Sequence, residues 1–255
     1  MRYWGVCTVD QKFGVNVSKL KRPLGRPVKP VLSRELIAEH ALDFVTERGL
    51  DELTMSHLAK RLGVAPSALY NHLDNKADLV LLIQDALVSQ VSLDEMDRLV
   101  EGKLSLGEAL EGWARSYRRV FASYPSLIPL IAVTPVSEAP QTSHMYDTVA
   151  KALITAGIPE QRVISVIVAF ESFLFGSALD LNAPADVLDA GEATEQRVWL
   201  ARAVGASKAN DQRAGVSQGD IDDTEAPVNI HAETPFQYGL RALIHQTVAL
   251  VQSRT

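Results

Sequence analysis

Between Gly63 and Val80 the chain reads GVAPSALYNHLDNKADLV. This stretch gathers hydrogen-bonding tips, namely Ser67, Tyr70, Asn71, His72, Asn75 and Lys76, without an apparent catalytic set. The chemistry it offers is recognition. Polar tips on a short helix starting at Pro66 can reach base edges in a major groove, and small residues such as Ala68 let the backbone approach. Tyr70 carries a hydroxyl on a rigid ring. Lys76 falls in the first turn of the next helix, where its charge adds to free backbone N–H groups, and both suit phosphate oxygens. Thr54, at the start of the preceding helix, can do likewise.

Other motifs carry less. GVSQG, residues 215–219, matches the G-x-S-x-G pattern with Ser217 as nucleophile, but that elbow needs a buried strand before it and a helix after it. The neighbours here are NDQRA and DIDDTEAP, both polar, so the chain is not expected to be an enzyme and no catalytic residue is assigned. The six histidines lack H-x-x-x-H spacing and Cys7 is the only cysteine, so neither a metal site, a cofactor nor an internal disulfide is expected. NVS at 16–18 is a chance glycosylation pattern.

The polar tips need elements to hold them. Ser33 can cap a helix in which Leu36, Ile37, His40, Ala41, Phe44 and Val45 recur at helical spacing, stopped by Gly49. Thr54 can cap a second helix carrying Leu58, Ala59 and Leu62, closed near Gly63, where positive φ is cheap. Pro66 suits the first turn of a third helix, 66–73. Asn75 can cap a fourth running to about Val91, with Asp78 as the acidic half of a capping box. Two short helices joined by a tight turn make a helix-turn-helix, with Leu58, Val64 and Leu69 turned inward.

Residues 1–17 show no usable period and are expected to be disordered or an upstream extension. Residues 18–31, beginning SKLKRPLGRPVKP, carry three prolines and read as an extended basic arm. From Ser18 to Arg34 there are six basic residues and no acid, although the whole chain has a net charge of −6. The Gly-Arg-Pro in this arm is similar to an AT-hook core: Arg26 would enter a narrow minor groove, with Arg22 and Lys29 on phosphates. A solvated tail adding salt-sensitive, non-specific affinity is the alternative.

Residues 53–80 resemble the DNA-binding domain of the TetR family of transcriptional regulators, through Thr54, Leu58-Ala59, Gly63-Val64, Leu69-Tyr70, His72, Asn75-Lys76 and Leu79. LYNHLDNK is similar to the tetracycline-repressor branch, with Asn71 where that branch has Trp, so no operator sequence carries over. By this resemblance Ser56, Pro66, Ser67 and Asn71 would face bases, and Thr54, Tyr70, His72 and Lys76 would hold the backbone. It also implies homodimers, a helical effector-binding body and release from DNA on binding a small molecule. No ligand set matching that branch's drug-bound divalent metal can be placed.

The remaining pattern is helical without strand alternation: about 104–123, 126–132, 138–156, 160–180 and 235–252, with a long polar connection at 181–234 in which only EQRVWLARAV looks helical. The expected class is therefore all-α, with 1–31 as N-terminus and arm, 32–78 as helix-turn-helix and 79–255 as an effector-binding and dimerisation body. The 160–180 helix is apolar nearly all round. Val163, Ile167, Phe170 and Leu174 form one stripe; Val166, Ala169, Phe173 and Gly176 form another. One stripe can meet the core and the other a second copy, together with Leu240, Ile244 and Val248 of the last helix; a fully intramolecular core is the alternative. Trp113, Tyr117, Phe121, His144, Tyr146 and Phe170 could line an effector pocket or simply fill the core. No run of about 18 apolar residues and no signal peptide is read, so a cytoplasmic chain with no membrane contact is expected. The expected partners are double-stranded DNA, an effector and a second copy. The sequence leaves an activator, a ligand-independent regulator and a DNA-architectural protein open beside a repressor.

Overall fold

The computed structural model describes residues 32–184, 186–188, 196–213 and 232–252. The arm residues Arg22, Arg26 and Lys29, residues 1–17 and Ser217 lie outside these. Among the described residues every regular element is helical.

The head is built from local signals. Helix α1 (Arg34–Arg48) starts where Ser33 Oγ accepts the Leu36 N–H at 3.2 Å and ends at Gly49, φ 84°. Thr54 Oγ1 accepts the His57 N–H at 3.1 Å and caps α2 (Met55–Leu62). Gly63 closes α2 in the left-handed region, φ 65°, and the Val64 N–H returns to the Ala59 carbonyl at 3.0 Å. Leu58 and Leu69 are fully buried between the helices; each side chain so sequestered contributes about 1.5–3 kcal/mol. Val64 is half-buried.

Helix α3 is shorter than its spacing predicts. It spans Pro66–Leu69, and the chain continues to Leu73 through tight turns, with His72 and Leu73 N–H groups both returning to the Leu69 carbonyl. The run Asn71, Asp74, Asn75 explains this, because short polar side chains compete with helical backbone bonds. Asn75 Oδ1 then accepts the Asp78 N–H at 3.0 Å and opens α4 (Lys76–Val88). Asp78 does not complete a capping box: its Oδ2 accepts from the Asp74 N–H, one residue before the cap, and its carboxylate also holds Arg34.

The body comprises α5 (Asp94–Val100), α6 (Leu106–Ala122), α7 (Ile128–Ile131), α8 (Pro140–Thr155), α9 (Glu160–Leu181), α10 (Val198–Arg213) and α11 (Glu233–Gln252). Helix α5 is absent from the sequence reading, its apolar pair Met96 and Leu99 being too short a signal; α10 runs well past the predicted segment. The 126–132 segment is a 3-10 turn at Pro125–Leu127 followed by one α turn. Helix α8 starts at Pro140 rather than 138 because Ala139 is held extended before the proline.

Helix α6 lies at the centre, packed on α4, α5, α9 and α11. It begins with a complete capping box between Ser105 and Glu108. Tyr117 stacks on Phe121 at 4.5 Å between ring centroids, and Trp113 tilts against Phe170 at 6.0 Å. Buried Arg118 fastens the start of α11: it donates to Glu233 at 2.6 Å and to the Ala232 carbonyl at 3.0 Å, and lies over the Phe236 ring. Helix α9 is long and apolar enough by composition to cross a membrane, yet Val163, Ile167, Phe170 and Leu174 face the interior.

Candidate nucleic-acid interface and interior cavity

The helix-turn-helix buries Leu58, Ala59, Leu69 and Leu73 and leaves most of its polar side chains outside. Thr54, Ser56, Pro66, Ser67, Tyr70, Asn71 and Lys76 are all exposed, and His72 is half-buried. Thr54 serves twice, since its hydroxyl caps α2 and still faces outward. The His72 backbone carbonyl accepts from Arg34 Nη1 at 2.6 Å, which ties the turn after α3 to the start of α1.

Charge on the head is distributed unevenly. Arg61 makes a two-pronged ion pair with Glu47, Arg48 meets Glu52, and Arg34 meets Asp78. Lys76 has no ion-pair partner among the described residues, and its ammonium stays available at the open end of α4. Arg34 also acts electrostatically: its hydrogen bond, together with the Asp74 N–H and against partial burial, holds the Asp78 carboxyl below its ordinary range.

The body contains a cavity of about 320 Å³ between α4, α6, α8, α9 and the segment 131–136 at the end of α7. Of the six residues expected at a pocket, Tyr117 and Tyr146 line it. Trp113, Phe121 and Phe170 do not; all three are buried, and Phe170 instead lines a smaller pocket of about 170 Å³ between α9 and α11. His144 is exposed and does not line it either. The polar lining is one the sequence reading missed. Glu171, in the middle of apolar α9, is 8% exposed, and its Oε1 accepts from Tyr117 Oη at 3.0 Å and from Tyr146 Oη at 2.6 Å. Burial pushes this carboxyl above its ordinary range despite the two donors, and pushes both tyrosines up as well. Gln84 of α4 is 2% exposed, and its amide oxygen has no partner. A lone glutamate inside an otherwise apolar helix was the available signal, because a carboxylate is almost never fully buried without a reason.

The residues expected at a dimer face divide. Val166 and Leu240 are buried within the subunit. Phe173 stacks on Phe236 and lies against Gly239, where any β-carbon would overlap its ring. Ile244 and Val248 are half-buried and Gly176 is exposed. The large apolar residues that α9 leaves outside are Ile164, Val168 and Leu179, on a different face of the helix from the stripe the spacing suggests, of which Ala169 is also exposed.

Comparison with known proteins agrees with both halves. Residues 34–83 match the family described as bacterial regulatory proteins, tetR family, and residues 100–210 match the tetracyclin repressor-like C-terminal domain. The chain is 30% identical over 161 residues to the tetracycline repressor protein class A from transposon 1721 of Escherichia coli, covering 63% of this chain and 71% of that one. It is 25% identical over 163 residues to the HTH-type transcriptional repressor DrrR1 of Streptomyces coeruleorubidus, covering 62% of this chain but only 56% of that protein. It likewise spans 61% of an HTH-type transcriptional regulator of Saccharopolyspora erythraea, at 28% identity. In fold it is similar to apo ActR from Streptomyces coelicolor, with a TM-score of 0.64 and 21% identity over 88% of this chain and 98% of that one. With an exposed helix-turn-helix, a cavity-bearing helical body and matches to both domains, this chain belongs to the TetR family of regulatory proteins.

Proposed function

We propose that this protein is a transcriptional repressor that binds a palindromic operator as a homodimer and is released by a small molecule held in the α4–α6–α8–α9 cavity. The observation that carries the reading is the exposed set Ser67, Tyr70, Asn71 and Lys76 on a unit held by the buried Leu58, Leu69, Leu73 and Leu79. Ser56, Pro66, Ser67 and Asn71 read bases, while Thr54, Tyr70, His72 and Lys76 hold the backbone. Asn71 pairs with adenine through both amide atoms. The arm residues Arg22, Arg26 and Lys29 add minor-groove and phosphate contacts.

Dimerisation follows from the surface of α9 and α11. Ile164 and Leu179 are 66% and 44% exposed, apolar residues that one subunit leaves uncovered, and Val168, 51% exposed, stands beside them where it also lines the cavity. A second copy would cover them and set two heads about 34–36 Å apart, one turn of duplex. The tetracycline repressors among its relatives support a ligand in the body. The effector acts by favouring a head separation that no longer matches the operator, and only to the extent that its affinity differs between the two conformers. Helix α4 is the link, because it starts at the DNA-facing Lys76 and reaches the cavity at Gln84.

Footprinting on the DNA flanking its own gene tests the reading. Two protected half-sites related by a dyad, with a dimer in sedimentation, are expected. Protection without sequence preference would favour a DNA-architectural protein, and a monomer that ignores DNA at low salt would overturn the proposal.

A further inference from the structure

The charged lining of the cavity is one-sided. Glu171 is its only acid, and no lysine, arginine or histidine lines it. Both tyrosine protons are committed to Glu171 Oε1, so neither hydroxyl is free to donate to a guest while it keeps that bond. No described residue donates to Oε2. The Gln84 amide oxygen is a further buried acceptor without a donor. The cavity therefore presents unmet acceptors and a carboxylate without a counter-ion, and a buried carboxylate of this kind is costly until a positive group arrives. The rest of the wall carries the hydroxyls of Thr134, Thr142 and Ser172, the first two already donating to the Leu130 carbonyl and Asp85 Oδ1, beside apolar and aromatic residues such as Val88, Met145 and Phe175. Aromatic faces attract cations, and the methionine adapts to varied shapes.

We propose that the cavity selects compact amphipathic organic cations, amines whose N–H groups donate to Glu171 Oε2 or to the Gln84 amide oxygen while an aromatic or aliphatic remainder rests on Val88, Met145 and Phe175. This rests on the effector reading above and narrows its chemical class. A carboxylate guest would meet Glu171 as a like charge. A neutral guest would leave the carboxylate without a counter-charge.

Three probes sharing one skeleton test this: 4-phenylbutylamine, 4-phenylbutan-1-ol and 4-phenylbutyrate, titrated calorimetrically into the full chain at neutral pH without DNA. The amine is expected to bind at least about tenfold more tightly than the alcohol, a difference of about 1.4 kcal/mol, and the acid is expected not to bind. Glu171→Gln should bring amine and alcohol to within about threefold of each other. Gln84→Leu should weaken the amine as well. Equal binding of the amine and either other probe, or no heat with the amine up to ~10 mM, overturns the proposal. The comparison on the unaltered chain does not depend on any variant folding. Operator binding is measured separately by footprinting, so a failed titration with intact operator binding sinks only the ligand class. Amine binding by a chain that ignores DNA sinks the regulator reading instead.

Discussion

Asp85 of α4 caps α8: its Oδ1 accepts the Thr142 backbone N–H at 2.8 Å and the Thr142 hydroxyl at 3.3 Å. Helix α8 has no capping side chain of its own, because Ala139 occupies the cap position and Pro140 follows it. A carboxylate 57 residues upstream supplies what an aspartate at the cap position would, and meets the positive end of the helix dipole. Thr142 also lines the cavity. The helix that begins at Lys76 is thus joined to the cavity wall by a charge-assisted hydrogen bond.

Asp85→Ala should remove this cap and cost about 1 kcal/mol of stability, read as a lower melting temperature. Asp85→Asn keeps an acceptor oxygen and should recover part of the loss. If α4 is the link between ligand and DNA, Asp85→Ala should also reduce the drop in operator affinity that a bound ligand causes. Equal ligand-induced release in both proteins would place the link elsewhere.

On the DNA side, Asn71→Ala and Lys76→Ala should fail differently. Loss of Asn71 should relax discrimination at one base pair per half-site by about 1–3 kcal/mol. Loss of Lys76 should weaken all sequences alike and lower the slope of log affinity against log salt by about one per subunit. Anisotropy titrations on operator variants at several salt concentrations separate the two.

Gly63→Ala tests the turn. No atom lies within 4 Å of where the new methyl would sit, so its cost comes only from holding φ at 65°. About 1–2 kcal/mol of destabilisation is expected, and Gly63→Asn should cost less because asparagine tolerates this region. Gly239→Ala tests the opposite situation: the backbone is helical and the new atom collides with Phe173. Overpacking of this kind costs about 1–3 kcal/mol, and Phe173→Leu in the same chain should relieve it.

Glu171 makes stability depend on pH with a definite sign. Burial raises its pKa, so over an interval above its ordinary value the folded chain keeps a proton that the unfolded chain has released. Stability therefore falls as pH rises through that interval and stays at the lower level above it. Tyr117 from α6 and Tyr146 from α8 face the carboxyl, and both are neutral throughout, since burial and the carboxylate push them up. Glu171→Gln escapes the loss, so its melting temperature should gain on the unaltered chain as pH rises above the ordinary carboxylate range. A difference that does not vary with pH would show that the carboxyl titrates alike in both states.

The head was legible because its determinants are local. Ser33, Thr54 and Asn75 cap helices within three residues of themselves, and Gly63 and Gly49 end helices by their own backbone freedom. Even there a limit shows at Asp78, whose bond to the Asp74 N–H and ion pair with Arg34 replace the capping box its spacing suggests. Helix α5 escaped because two buried residues in seven do not make a period.

The sequence by itself determined that helices form, where most of them start, and which side chains of the head stay outside, since 3.6-residue spacing and capping act within one or two turns. Only the tertiary structure decided which residues line the cavity and which face of α9 stays uncovered. Trp113, Tyr117 and Phe121 recur at the same helical spacing, and nothing in that spacing tells a wall from a filling. The rotation of α6 and α8 against α9 does, by turning Tyr117 and Tyr146 toward Glu171 while Trp113 and Phe121 close the core. That rotation is set by packing between helices far apart in the chain, the level at which a buried carboxylate finds its donors.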